Sequence, residues 1–214
     1  GYLGYEFARD PAIYSTVERE PLALTYATTN LSKTLPEEKI LLSVSGRMRN
    51  YLTPSYWAHF QLLDITPELY GEHFFDLLHR TYIRDTEVNE YLHKDIDTFK
   101  GRCEEAGFID GDFLEKDKVT VLVAAVLNVA DSLSRQVKVI LDVEGDAYNR
   151  RAMEVITAVY RYIPYHIRKA AGFCTYGKTD RSGSNRVKLL LYTREQAGLL
   201  DQDAIDLKNM DCKR

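Results

Sequence analysis

Between Arg135 and Thr193 the apolar positions change period along the chain. Val137, Val139, Ile140, Leu141 and Val143 form a β-branched run, bounded by Arg135 and by Glu144-Gly145-Asp146, which is the composition of a strand. Ala152, Val155, Ile156, Val159, Tyr162 and Ile163 then recur at three- and four-residue steps. Arg150, Arg151, Glu154, Thr157 and Arg161 fall on the other side, so the pattern predicts a helix with one apolar and one wet face. Asp146 or Asn149 is placed to cap its start, and Pro164 should stop or kink it at Ile163. Two extended pieces follow, Gly172 to Tyr176 and Arg186 to Thr193, separated by the turn-rich Lys178-Thr179-Asp180-Arg181-Ser182-Gly183-Ser184-Asn185. The unit over 135–193 is strand, helix, strand, strand, and it predicts an α/β fold, or α+β, with helices packed on a mixed sheet.

The same reading extends to both sides. Leu22 to Tyr26, Lys39 to Ser45 and Tyr56 to Ile65 read as strands; Gly46 to Tyr51 reads as part of a connection carrying Arg47 and Arg49. Thr66-Pro67-Glu68 is a helix entrance, with Thr66 as cap and Pro67 in the first turn, and Leu69, Phe74, Leu77 and Leu78 are its expected buried stripe. Val88, Leu92, Ile96 and Phe99 hint at a second helix ending at Gly107. Val119 to Ala130 is the most apolar stretch, far short of the roughly 20 residues that span a bilayer, and reads as a buried helix running to about Ser134. Arg194 to Gly198 reads as a turn, and Asp201 to Met210 as a terminal helix.

At 214 residues the chain is read as a single domain, 1–214, with two lobes and its softest division near 107–118. Gly1, where a methionine would be expected, points to a piece of a longer multidomain protein. The 28 basic and 32 acidic side chains give a formal charge of −4, which supplies no global field for nucleic acid or an anionic membrane. Cys103, Cys174 and Cys212 are too few and too scattered for a disulfide framework or a metal cluster, so a reduced, cytoplasmic setting without a metal or cofactor is expected.

The sharpest motif is Gly172-Phe173-Cys174-Thr175-Tyr176-Gly177-Lys178-Thr179, which satisfies the letters of a phosphate-binding P-loop. The mechanism needs a strand before the first glycine and a helix opening at the lysine, because the helix N-terminus supplies much of the anion site. Here a helix precedes Gly172, a strand-like run fills the loop, and a polar turn follows Lys178. The pattern therefore favours a β-hairpin, with nucleotide binding at Gly172, Gly177, Lys178 and Thr179 as the alternative.

A second candidate is a ligand cleft where strands end. Arg47 and Arg49 are fork-shaped donors suited to carboxylate or phosphate, His59 offers an imidazole, Asp142 sits at a strand's carboxyl end, where open α/β sheets present ligands, and Arg168 completes the set. Glu144, Tyr148 and His166 are further candidates. Against this, lone arginines at turns are commonly solvated, and Asp142 also fits a turn acceptor. His73, Asp76, His79 and Arg80 offer no pair of histidines one helical turn apart, and His93 with Asp97 is a single such spacing.

Three segments carry a family resemblance: Ser45-Gly46-Arg47-Met48-Arg49-Asn50-Tyr51 with His59, Ser134 to Ile140, and Ile163-Pro164-Tyr165-His166-Ile167-Arg168 leading to Phe173-Cys174-Thr175-Tyr176. Across about 40–193 they resemble the N-terminal region of bacterial GTPase-associated proteins of conflict and regulatory systems. That resemblance implies a module working beside a GTPase partner, and it places Phe173 to Tyr176 on a structural strand. No nucleophile with its base and no pair of tuned acids stands at diagnostic spacing, so the expectation leans to a non-catalytic interaction or regulatory module.

Overall fold

A computed structural model describes residues 23–30, 38–48, 55–67, 74, 114–177, 186–200 and 203–210. Its centre is the strand β6, Val187–Tyr192, all six residues of which are buried. A continuous apolar run suits a strand covered on both faces. The exception is Lys188, whose Nζ donates to the Ser132 carbonyl, and burial lowers its pKa from the ordinary lysine value. Around β6 lies a seven-stranded sheet in the order β3-β2-β1-β5-β6-β4-β7. Here β1 is Ala23–Asn30, β2 Glu38–Met48, β3 Ser55–Asp64, β4 Val137–Ile140, β5 Gly172–Cys174 and β7 Ile205–Asp206.

The sheet has two halves of different character. β1, β2 and β3 form an antiparallel meander in regular register, from Ala23↔Ser45 to Asn30↔Glu38 and from Lys39↔Asp64 to Met48↔Ser55. β5, β6, β4 and β7 run parallel. The halves meet where β1 pairs antiparallel with β5 at Thr25↔Cys174 and Tyr26↔Phe173. An aromatic cluster fastens this seam: the Tyr26 ring centroid lies 5.1 Å from Phe74 and 5.8 Å from Phe173, and Tyr160 lies 5.3 Å from Phe74 and 5.2 Å from Phe173. All four side chains are fully buried, and each such ring contributes on the order of 2 kcal/mol through burial alone.

Two helices pack together against the parallel half: α1, Lys116–Val129, and α2, Tyr148–Tyr160. A four-residue helix α3, Tyr165–Arg168, turns the chain from α2 into β5. The strand–helix–strand–strand order of 135–193 is observed, and the fold is α/β. No described helix is long and apolar enough to cross a membrane.

Several local expectations are corrected. α1 ends at Val129, not near Ser134, and buries only the stripe Val119, Leu122, Val126 and Val129; Val121 and Leu127 remain exposed. α2 follows a 3-10 turn, Gly145–Ala147, and its cap position is Ala147, not residue 146 or 149, with no side-chain cap bond. Its expected wet face is largely covered, since Glu154 and Thr157 are buried. The predicted hairpin is absent: β5 and β6 are parallel neighbours, whereas the two strands of a hairpin pair antiparallel. β1 and β2 run beyond the expected strands, so Arg47 lies within β2 and not in a connection. The expected terminal helix is instead the short strand β7, after a 3-10 stretch at Arg194–Leu199. Pro67 and Phe74 have helical backbone and Phe74 is buried, as the entrance at Thr66 predicts. The candidate helix at 86–106, His73, Asp76, His79, Arg80, His93 and Asp97 lie outside the described residues.

Candidate functional site

Open parallel sheets present ligands beyond the carboxyl ends of their strands, so that edge is where a site is sought. β4 delivers Asp142 there, just after Leu141, whose amide donates to the Tyr192 carbonyl at 3.0 Å. α2 returns over the same edge with Arg151. Its guanidinium meets Asp142 as a fork, Nε to Oδ1 at 2.9 Å and Nη2 to Oδ2 at 2.8 Å. Nη1 reaches Glu154 at 3.2 Å, and Glu154 also accepts from Arg150 Nε at 3.2 Å. Two acids and two arginines thus neutralise one another. The hydrogen bonds from Arg151 hold the Asp142 carboxyl below its ordinary value, and Asp142 in turn raises Arg151. A carboxylate held ionised in this way is a poor general base near neutral pH.

A second fork lies beside the first. Arg194, in the 3-10 stretch after β6, donates to Asp206 of β7 at 2.7 and 3.2 Å, and Asp206 also accepts from the Lys208 amide and Asn209 Nδ2. These bonds lower the pKa of Asp206. Thr193 and Gln196, at the start of the same 3-10 stretch, form a reciprocal capping box, and Gln196 Nε2 donates to the Gly177 carbonyl at 2.7 Å.

The backbone that spells the P-loop letters belongs to this framework. The Gly172 amide donates to the Arg186 carbonyl at 2.8 Å and the Gly177 amide to the Leu191 carbonyl at 2.8 Å. The carbonyl of Thr175 accepts from Tyr148 Oη at 2.6 Å. Gly172 also has carbonyl oxygens of Tyr26 and Arg186 so close that a Cβ would stand 2.5 Å from each. This glycine is required by close strand approach. Lys178 and Thr179 lie outside the described residues.

The proposed cleft residues are dispersed. Arg47 stands in β2 opposite Tyr56 and His59 in β3 opposite Val44. β2 is four strands from β4 in the sheet order, about 19 Å at ordinary strand spacing. Arg47 and His59 are therefore not brought to Asp142, and Arg49 lies outside the described residues. Arg168 sits at the other end of the parallel strands, 3% exposed, where its Nε donates to the carbonyls of Tyr160 and Ile163 at 3.1 and 3.0 Å. It satisfies carbonyls at the end of α2, and desolvation lowers its pKa. His166 is exposed; Tyr148 is buried under β5. Among the described residues no group of three or more His, Cys, Asp or Glu could hold a metal ion.

The framework residues Arg151, Glu154, Arg194, Gln196 and Asp206 were not candidates in the sequence. Only Thr193-x-x-Gln196 carried a local signal, the spacing of a capping box. Every one of them serves the part of the sheet from α1 to β7.

Residues 106–206 match the family described as GTPase-associated protein 1, middle domain. The matched stretch holds both long helices and all four parallel strands, and so both forks. The sequence resemblance ran over about 40–193 and named the N-terminal region; the stretch that matches the middle-domain family begins at residue 106, and β1, β2 and β3 precede it. The match supports a GTPase-related role for this half of the chain. No curated protein and no solved structure matches the chain.

Proposed function

We propose that the chain is a non-catalytic interaction or regulatory module acting with a GTPase, in the cytoplasm, within the bacterial conflict or regulatory systems that the sequence resemblance implies. The observation that carries this reading is the commitment of the Gly172 and Gly177 amides to neighbouring carbonyls. Phosphate cradles work through unengaged main-chain amides aimed at the ligand, whereas this stretch spends its polar groups on the sheet. The mutual pairing of Asp142, Arg151 and Glu154 supports the same reading, because it leaves those charges occupied by one another. The matched family is described by its association with a GTPase, and its description as a middle domain supports a longer protein with neighbours on both sides.

The test is to purify the chain with a GTPase of the same system and measure association and the rate of GTP hydrolysis. A complex in which the hydrolysis rate of the GTPase changes, while the chain alone neither binds nor hydrolyses nucleotide, is the expected result. Hydrolysis of GTP or ATP by the chain alone, abolished by Lys178→Ala, would make the P-loop alternative the correct one. Ligand binding by the chain alone that requires Arg47, Arg49, His59 and Asp142 together would favour the cleft.

A further inference from the structure

The open sheet ends in two edge strands, β3 and β7. An edge strand turns the N–H and C=O of every second residue away from its one neighbour, where another extended chain can take them. The two edges differ. β7 is two residues long, Ile205–Asp206. Immediately after it, the Lys208 amide and Asn209 Nδ2 donate to the Asp206 carboxylate, which also holds the Arg194 fork. A strand this short, carrying a paired charge, offers little for a further strand to join.

β3 has none of these guards. It is ten residues long and pairs with β2 from Lys39↔Asp64 to Met48↔Ser55 without a bulge. From Tyr56 to Leu63 the sequence holds no Asp, Glu, Lys, Arg or Pro, the residues that turn pairing away from an edge. Tyr56, Trp57 and Phe60 give the run high strand propensity, and it carries no formal charge. The one charged residue of β3, Asp64, stands at its end and is paired with Lys39 of β2. Among the described residues no strand lies on the outer side of β3, so about five of its residues turn main-chain donors and acceptors outward.

We propose that β3 pairs antiparallel with β3 of a second copy of this chain about a twofold axis, joining the two sheets into one. The outward main-chain groups select an extended backbone, because a strand supplies donors and acceptors at their spacing. The charge pattern favours a copy of the same strand. An antiparallel twofold sets the two Asp64 residues at opposite ends of the junction, so the uncharged run from Tyr56 to Leu63 meets its own image with no like charges opposed. A strand reserved for a foreign partner would need a charge, a proline or a bulge to keep its own copies off, and β3 has none of them between Tyr56 and Leu63. The twofold uses the β3 edge of both copies and β7 ends the sheet at each far side, so assembly closes at two copies instead of growing into a fibre. The pairing is independent of any GTPase contact.

Light scattering during size exclusion should give twice the 24.6 kDa of one chain, with no larger species as concentration rises. Residue-resolved hydrogen exchange of the wild type reads the edge itself. Uniformly slow exchange from Trp57 to Leu62 is expected, since amides facing β2 and amides facing the second copy are both bonded; a free edge alternates slow and fast residues. His59→Lys/Gln61→Lys gathers the added positive charges of both copies near the twofold and should weaken the dimer by about tenfold or more at low salt, with partial recovery at high salt. If the double variant does not fold, the mass and the exchange pattern of the wild type decide between dimer and free edge. A monomer at all concentrations, ever larger oligomers, alternating exchange, or a dimer indifferent to the two lysines overturns the proposal. So does a monomer whose β3 edge is protected only when a different protein is added.

Discussion

Replacing Gly172 with alanine separates a strand glycine from a phosphate-loop glycine. The added Cβ would stand 2.5 Å from two carbonyl oxygens, those of Tyr26 and Arg186, and 3.0 Å from Ala27 Cα. Ordinary contact begins at 3.4 Å, so each carbonyl would have to retreat by about 0.9 Å. Both obstacles are backbone, on strands that flank β5 from opposite sides, so neither can rotate out of the way. Moving β1 loosens the pairs Thr25↔Cys174 and Tyr26↔Phe173 and with them the aromatic seam; moving β6 strains the bond from the Gly172 amide. Overpacking of a core costs typically 1–3 kcal/mol, and two rigid neighbours place Gly172→Ala near the upper end, about 3 kcal/mol. For a chain of this length that is a fall in melting temperature of about 6–12 °C. Thermal and urea unfolding followed by circular dichroism measure it, with and without magnesium and GTP or ATP. The expected outcome is a large loss of stability in the variant and no nucleotide-dependent shift in either protein. A variant that melts with the wild type, or a wild type stabilised by nucleotide where the variant is not, refutes the reasoning.

Further predictions concern the charge forks, a buried hydroxyl and a turn. Asp142→Asn should cost about 1–2 kcal/mol at neutral pH, because the Arg151 fork is only partly screened at 15% and 23% side-chain exposure. The folded carboxyl titrates below the unfolded one. Its stabilisation is therefore present above the unfolded value, about 3.9, and is lost as pH falls through the folded one, so the gap in melting temperature between wild type and variant should close at acid pH. A gap that persists there contradicts the pairing. Tyr160→Phe removes the hydroxyl that donates to the Ala171 carbonyl and should lower stability by about 1 kcal/mol, read as a shift in urea midpoint without a change in slope. Gly145→Ala, at φ 63° with nothing within 4 Å, should cost about 1 kcal/mol from left-handed backbone strain alone. It should rank below Gly172→Ala, and the reverse ranking would overturn the account of both glycines.

What could be read in advance was local. The β-branched run at Val137, the helical period from Ala152 and the apolar run of β6 declare themselves within a few residues, because strand and helix impose their periods on neighbouring side chains. Pairing partners do not. That β5 lies between β1 and β6, parallel to one and antiparallel to the other, depends on contacts far apart in the chain, and a hairpin was the natural local reading of two strands joined by a polar turn. Glu154 and Thr157 looked wet because the period of α2 gives one apolar face, yet that side too is covered. The carboxyl-edge site was half legible. Asp142 was found from its place at a strand end, while its partner Arg151 belongs to a helix and was assigned to solvent. Arg168 stood among the cleft candidates, and its acceptors are carbonyls at the end of α2, which no sequence pattern displays.

Hydrogen exchange at the amides of Gly172 and Gly177, with and without magnesium and GTP, tests the function most directly. If these amides belong to the sheet, as their 2.8 Å bonds to Arg186 and Leu191 require, they exchange slowly in the chain alone and nucleotide changes nothing. Rapid exchange that nucleotide suppresses would mean they had been waiting for a phosphate, and would make the chain an enzyme or nucleotide sensor in its own right.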